Sequence, residues 1–294
     1  MNKYVIVTDS CIDLPAKMAA EMNLTVITLS VTVEGRTYRN FLDEKEISCV
    51  DFYQLLREKK IAVTSQPNPE HFIAVMEPLL KSGHDILSIS FSSALSGTFN
   101  SARIAKEELE PRYPERKIIT LDSLCASMGQ GLLIAYAADL KKQGKTIDEV
   151  SEWVEKNKKN ICHLFTVGDL NYLARGGRLS HSKAIIGTLL KIKPLLHVSE
   201  EGKLVQTGAT RGRYSALVKM AERMTQTIIK PEDQTIFISH GDCLTDAQIL
   251  KSLIMERIPV KDIVINFVGP VIGGHSGINT LALFYFGNDR FLEY

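Results

Sequence analysis

Residues 85–102 read DILSISFSSALSGTFNSA. Asp85–Ser90 is a short apolar run bounded by polar residues and reads as a strand. A serine-rich corner follows, and a helical pattern runs from Gly97 to Leu109. Strand, polar corner, helix is the repeating unit of an α/β sheet. Working outward, the unit recurs. Tyr4–Thr8 is a strand before a helix over Pro15–Met22, with its proline near the start. Lys117–Leu121 is a strand before a helix over Ser127–Lys142. Between them lie a strand over Leu24–Val33, a turn at Glu34-Gly35, the short segment Arg36–Arg39 and a helix over Val50–Lys59. Ile61–Val63 is extended, Pro67-Asn68-Pro69 turns, and Glu70–Lys81 is helical. This alternation predicts a parallel sheet covered on both faces.

The second half has another rhythm. Thr146 and Glu149 form a capping box for a helix carrying Ile147, Val150 and Val154. The KNKKN cluster after it suits a solvated helix end. Lys193–Ser199 and Lys203–Thr207 flank Glu200-Glu201-Gly202, a hairpin signal. Helices follow over Arg213–Thr227 and Asp246–Met255, with strands over Thr235–Ser239, Asp262–Val268 and Thr280–Phe286. The expected fold is α/β: a parallel-sheet domain over residues 1–160 and a smaller α+β domain over 161–294 with a mostly antiparallel sheet.

Composition narrows the function. The 294 residues are 45% hydrophobic and 23% charged, within the globular range, and the net charge is +1. Near-neutrality removes the electrostatic case for nucleic acid and for an anionic membrane surface. The five cysteines are scattered, odd in number and without C-x-x-C, which fits a reducing compartment and neither a disulfide scaffold nor a zinc site. No signal peptide and no membrane-length apolar run are visible, so the expectation is a soluble cytoplasmic protein.

Searches for nucleotide and hydrolase signatures fail. Gly144-Lys145-Thr146 has Asp139 where a phosphate-binding loop needs its first glycine, and Gly129-Gln130-Gly131 lacks the third glycine of a dinucleotide fingerprint. No metal spacing and no G-x-S-x-G elbow occur. What remains is a set of small polar clusters at strand ends: Thr8-Asp9-Ser10, Thr64-Ser65-Gln66-Pro67, Ser92-Ser93 through Ser96-Gly97-Thr98, and Asp122-Ser123 with Ser127 to Gly131. Such residues cap helices and make turns. Four clusters at the carboxyl edge of one sheet also describe a shared ligand pocket. The second half adds Arg175-Gly176-Gly177-Arg178, whose guanidinium groups can hold a carboxylate or phosphate, and the Gly-rich turn over 269–277 with His275.

Seven segments together resemble the DegV family of bacterial fatty-acid-binding proteins: VTDSCIDLP, TSQPNP, FSSALSGTFNSA, DSLCASMGQG, DLNYLARGGRLS, KIKPLL and GPVIGGHSG, in order from residue 7 to residue 277. The resemblance implies two domains with a long-chain fatty acid in a tunnel between them. It implies a carrier rather than an enzyme, with no cofactor beyond the lipid and no metal. It also implies a partner, the ATP-binding subunit of a fatty acid kinase. By motif, Thr64, Ser96 and His275 would hold the carboxylate, and Arg175 would lie near the mouth. Ser65, Ser93, Gly97, Thr98, Ser127 and Gly274 are further candidates for ligand or partner contact. This chain departs from the family at Ile278-Asn279, where Pro-Gly is usual; asparagine tolerates left-handed geometry, which would keep the turn. The rival from another class is a serine hydrolase or acyltransferase, with Ser93 or Ser96 as nucleophile, His275 as base and Asp9 or Asp122 as orienting acid.

Overall fold

The computed structural model describes residues 3–179, 192–288 and 290. Ser180 and Lys191, at the ends of two of the motifs quoted above, lie outside the described residues. The first half contains β1 (Tyr4–Asp9), α1 (Ala16–Glu21), β2 (Thr25–Ile27), β3 (Ser30–Val33), β4 (Arg36–Arg39), α2 (Cys49–Arg57), β5 (Ala62–Ser65), α3 (Pro69–Lys81), β6 (Asp85–Ser90), α4 (Thr98–Leu109), β7 (Ile118–Asp122), α5 (Met128–Lys142) and α6 (Ile147–Asn157). The second half contains β8 (Ile161–Thr166), α7 (Asn171–Arg175), β9 (Ile192–Val198), β10 (Leu204–Arg211), α8 (Arg213–Thr227), β11 (Thr235–His240), α9 (Leu244–Met255), β12 (Asp262–Phe267), α10 (Pro270–Ser276) and β13 (Leu281–Phe286).

The expected parallel sheet is present, in the order β2-β1-β6-β7. Side chains alternate across it, as strand geometry requires. Val7 and Ile86 join a core with Phe72, Met76 and Ala102 of α3 and α4. Ile6 and Leu87 point the other way, toward Leu132, Leu133 and Ala137 of α5. The second sheet runs β10-β9-β8-β13-β11-β12, antiparallel except for the β11–β12 pair. One of its faces packs Leu164, Ile236, Ile238 and Leu283 with residues of α8 and α9. The other turns Phe165, Phe237, Ala282 and Phe284 toward the α5 core. Helix α5 is therefore wedged between the two sheets. Its Gly129 and Gly131 serve that wedge: a β-carbon at Gly129 would lie 2.2 Å from His163 Nε2, and one at Gly131 2.7 Å from the Leu14 side chain.

Four expectations need correction. The Leu24–Val33 run breaks at Leu29 and feeds two sheets, β2 joining the parallel one and β3 a separate antiparallel sheet of order β4-β3-β5. The cluster at Thr64 therefore ends an antiparallel strand, and three of the four clusters, not all four, sit at the carboxyl edge of the parallel sheet. The Gly-rich stretch expected as a turn is the helix α10. Ile161–Thr166, unassigned in the sequence, is a central strand buried along its whole length.

The two halves are tied together near the chain's end. Arg290 is buried, and its guanidinium donates to the carbonyls of Val198 (3.1 Å), Lys158 (3.2 Å) and Leu124. Charged donors to buried carbonyls are worth more than neutral ones, and their loss leaves three acceptors unmet. Replacement of Arg290 by Met is expected to lower unfolding stability by about 3 kcal/mol, measured by denaturant titration at neutral pH; a loss below about 0.5 kcal/mol would show that the clasp is dispensable.

Candidate lipid-binding cavity

The end of β5, α10, the loops after the parallel strands and one face of the second sheet enclose a cavity of about 390 Å³, within the usual range for small-molecule sites of roughly 300–1,000 Å³. Its walls are largely apolar. Phe91 and Leu95 come from the β6–α4 corner, and Phe165, Leu173, Val198, Leu204 and Phe284 from the second half. Helix α10 contributes Val271, Ile272, His275 and Ser276, a spacing that puts all four on one helical face.

A polar group gathers where β5 meets α10. Thr64 Oγ1 and His275 Nε2 are 2.7 Å apart. Glycines make the approach possible. Gly274 packs its backbone against Ala62 and Thr64 of β5, where a β-carbon would come within 3.2 Å of Ala62 Cβ. Gly176, at the end of α7, sits under the imidazole, where a β-carbon would lie 2.4 Å from Nδ1. Burial, assisted by the nearby Arg178 charge, pushes the His275 pKa down to about 4, so the ring is neutral at physiological pH. Asn279 has φ +62° and takes the left-handed conformation expected of it, so the turn after α10 survives the Ile278-Asn279 departure.

The expected residues divide. Thr64, Ser65, Ser96, Ser127 and His275 all line the cavity. Ser96 Oγ pairs with Thr98 Oγ1 at 2.9 Å and donates to Gln66 Oε1 at 3.4 Å. Gly97 lets Gln66 approach, since a β-carbon there would meet its amide at 2.5 Å. Ser127 belongs to a deeper group described below. Ser93 is exposed, and its N–H donates to Asp122 Oδ1 at 3.2 Å outside the cavity lining. Arg175 is exposed and stacks on the Tyr172 ring at 4.8 Å. It is Arg178, three residues on, that lines the cavity, with Nε donating to Leu95 O at 3.1 Å. Gln66 and Arg178 were both within quoted motifs; what the sequence lacked was which arginine the Gly176-Gly177 turn aims inward.

The hydrolase geometry is not assembled among the described residues. Asp9 accepts from the N–H groups of Phe91 (2.8 Å) and Cys11 (3.1 Å) and from Gln130 Nε2 (3.2 Å). Asp122 accepts from Ser93 N and Leu124 N. Neither carboxylate bonds to His275, whose hydrogen-bond partner is Thr64. No group of three or more His, Cys, Asp or Glu among the described residues could hold a metal ion, and no helix there is long and apolar enough to cross a membrane.

Residues 3–288 match the model of a family described as uncharacterised DegV proteins. The chain belongs to the DegV family. A DegV domain-containing protein of Clostridium perfringens is 45% identical over 99% of both chains. A DegV family protein of Thermus thermophilus, solved as a fatty-acid-binding structure, superposes with TM-score 0.88 at 29% identity, covering 98% of this chain and all of that one. DegV of Bacillus subtilis, described as a fatty acid binding protein, superposes with TM-score 0.85 at 30% identity over 98% of this chain.

Behind the cavity-lining Ser127 of this DegV protein lies a buried carboxyl. Ser127 donates to Asp13 Oδ2 at 2.6 Å, and the other oxygen lies under Gly269, where a β-carbon would be 2.6 Å away. Burial raises the Asp13 pKa from 3.8 to about 7. A carboxyl whose folded pKa is raised holds its proton in the native state after the unfolded chain has lost it. Its contribution to stability is complete below the unfolded value and fades as pH climbs through the folded one. The Asp13 contribution to stability is thus expected to fade between about pH 4 and about pH 7. Asp13→Asn, which keeps an acceptor for Ser127, should flatten that part of the profile in urea titrations across the range; an unchanged slope would mean that Asp13 ionises freely. His275 acts with opposite sign, its neutral form being favoured in the fold, so its contribution fades as pH falls from 6.5 toward about 4.

Proposed function

We propose that this protein binds one long-chain fatty acid in the cavity, with the carboxylate at Thr64, His275 and Ser96 and the chain running between the two sheets, and presents it to a separate ATP-dependent kinase for acyl-phosphate formation in lipid metabolism. The observation that carries the reading is the 2.7 Å Thr64–His275 contact in the wall of a largely apolar cavity. It is supported by the fatty-acid-binding relatives from Thermus thermophilus and Bacillus subtilis. With neutral His275 Nε2–H donating to Thr64 Oγ1, the threonine proton is free to donate to a ligand oxygen. We place the protein in the cytoplasm and divide it into domains at residues 160 and 161, where the last 3-10 turn of the first half ends and β8 begins.

Tail and head have separate tasks. About fourteen buried methylenes at about 0.8 kcal/mol each supply about 11 kcal/mol before association and ordering costs. The head needs only to orient. Neutral hydroxyls hold a carboxylate or an acyl phosphate without the deep charge pairing that would trap either, which suits a carrier that hands its cargo on. The chain has no phosphate-binding loop of its own, so a partner must bring the nucleotide.

Native mass spectrometry with solvent extraction tests the binding step. Wild type should carry one fatty acid per chain. Thr64→Val, which keeps the shape and deletes the hydroxyl, should bind added palmitate about 10- to 100-fold more weakly, the range for one hydrogen bond to a charged group. A wild-type chain that refuses added fatty acids would overturn the proposal. With ATP, acyl phosphate should appear only when a kinase partner is added; formation by the chain alone would remove the carrier role.

A further inference from the structure

We propose that the cavity selects a fatty acid bearing a hydroxyl group part-way along its chain. The inference rests on the fatty-acid reading above and specifies the ligand within it. Away from the Thr64–His275 group the lining includes Ser239 on β11 and Ser276 on α10, and both are buried. The Ser276 Oγ has no hydrogen-bond partner among the described residues. Ser239 Oγ pairs with Ser127 Oγ at 3.1 Å. While Asp13 is ionised and accepts the Ser127 proton, the proton in the Ser239–Ser127 bond comes from Ser239. Ser239 is left with open acceptor capacity, and Ser276 with an unused donor.

The two lie on neighbouring parts of the wall. Thr280 Oγ1 donates to the Ser276 carbonyl at 2.8 Å, and Thr280 stands two positions before Ala282, the register partner of Ser239 in the β11–β13 ladder. One donor and one acceptor are the complement of an alcohol, which accepts and donates through a single oxygen. A plain alkyl chain laid across this wall leaves Ser276 desolvated and unpaired, and buried polar groups left unpaired are what make a site discriminate against a ligand lacking the matching group. A ketone can use only the Ser276 donor, so the pair distinguishes hydroxy from oxo chains. The Asp13–Ser127 bond holds Ser239 in the accepting role.

The test is a comparison of dissociation constants for stearate, for mono-hydroxystearates substituted at successive carbons, and for the matching oxostearates. At one position the hydroxyl should tighten binding to wild type about tenfold relative to stearate, with the oxo acid falling short of that gain. The hydroxy-to-plain ratio should collapse to one or below in Ser276→Ala and in Ser239→Ala, both small changes whose folding is checked by thermal melting. In Thr64→Val both acids should weaken together, so the ratio persists. If stearate binds and every hydroxylated acid binds more weakly, the inference is wrong while the fatty-acid reading stands. If none of the acids binds, both fall.

Discussion

Thr64 and His275 stand 211 positions apart and share one hydrogen bond of 2.7 Å. Much of the fold is arranged so that these two side chains can meet. Thr64 is on the edge of a three-stranded sheet that the parallel sheet does not include. His275 is on a seven-residue helix held against that sheet by glycines. At Gly273 a β-carbon would lie 2.6 Å from the Tyr53 hydroxyl, and that hydroxyl donates to Val268 O at 2.8 Å, one residue before the helix N-cap. The buried Tyr53 thus fixes both the entry and the depth of α10. The small sheet, α2 and α10 pack together as a third element, and the polar contact joins its β5 to its α10 where both line the cavity.

The space itself follows from the wedge. Helix α5 is pressed between the sheets along its first turns by Gly129 and Gly131. His163 is locked there as a neutral tautomer, with Nδ1–H donating to Ile161 O at 2.9 Å and Nε2 accepting from Ala126 N–H at 3.2 Å, and it meets Phe284 edge-on. Phe91 and Leu95 after β6 and Phe165 and Phe284 of the second sheet line the cavity next to it. Across the cavity the β9–β10 hairpin is anchored by Ser92 Oγ donating to Gly202 O at 2.9 Å, which fixes Val198 and Leu204 in the far wall. The result is a largely apolar cavity with a hydroxyl–imidazole contact at one place and further serines in its wall.

Local chemistry was legible in the sequence. The Thr146–Glu149 capping box opens α6 as written, and the Glu200-Glu201-Gly202 turn joins β9 and β10. Non-local pairing was not. Leu24–Val33 is one apolar run, but its halves find different partners, a choice made by sheets that no window of ten residues contains. Ile161–Thr166 is buried on both faces and so lacks the alternation that betrays a half-exposed strand. The Gly-rich 270–276 stretch has poor helix propensity, and the close approach to Tyr53, Ala62 and Thr64 overrides it. At the site, residue types were visible and directions were not: Ser93 and Ser96 look alike in sequence, as do Arg175 and Arg178, and backbone geometry turns only Ser96 and Arg178 inward.

The most direct test of the central claim is a crystal structure of the protein grown with stearate. The carboxylate should lie within hydrogen-bond distance of Thr64 Oγ1, with the chain passing between Phe91 and Phe284 toward the far wall. A carboxylate bound at the Ser127–Ser239 end, or a lipid lying outside the cavity, would contradict the account.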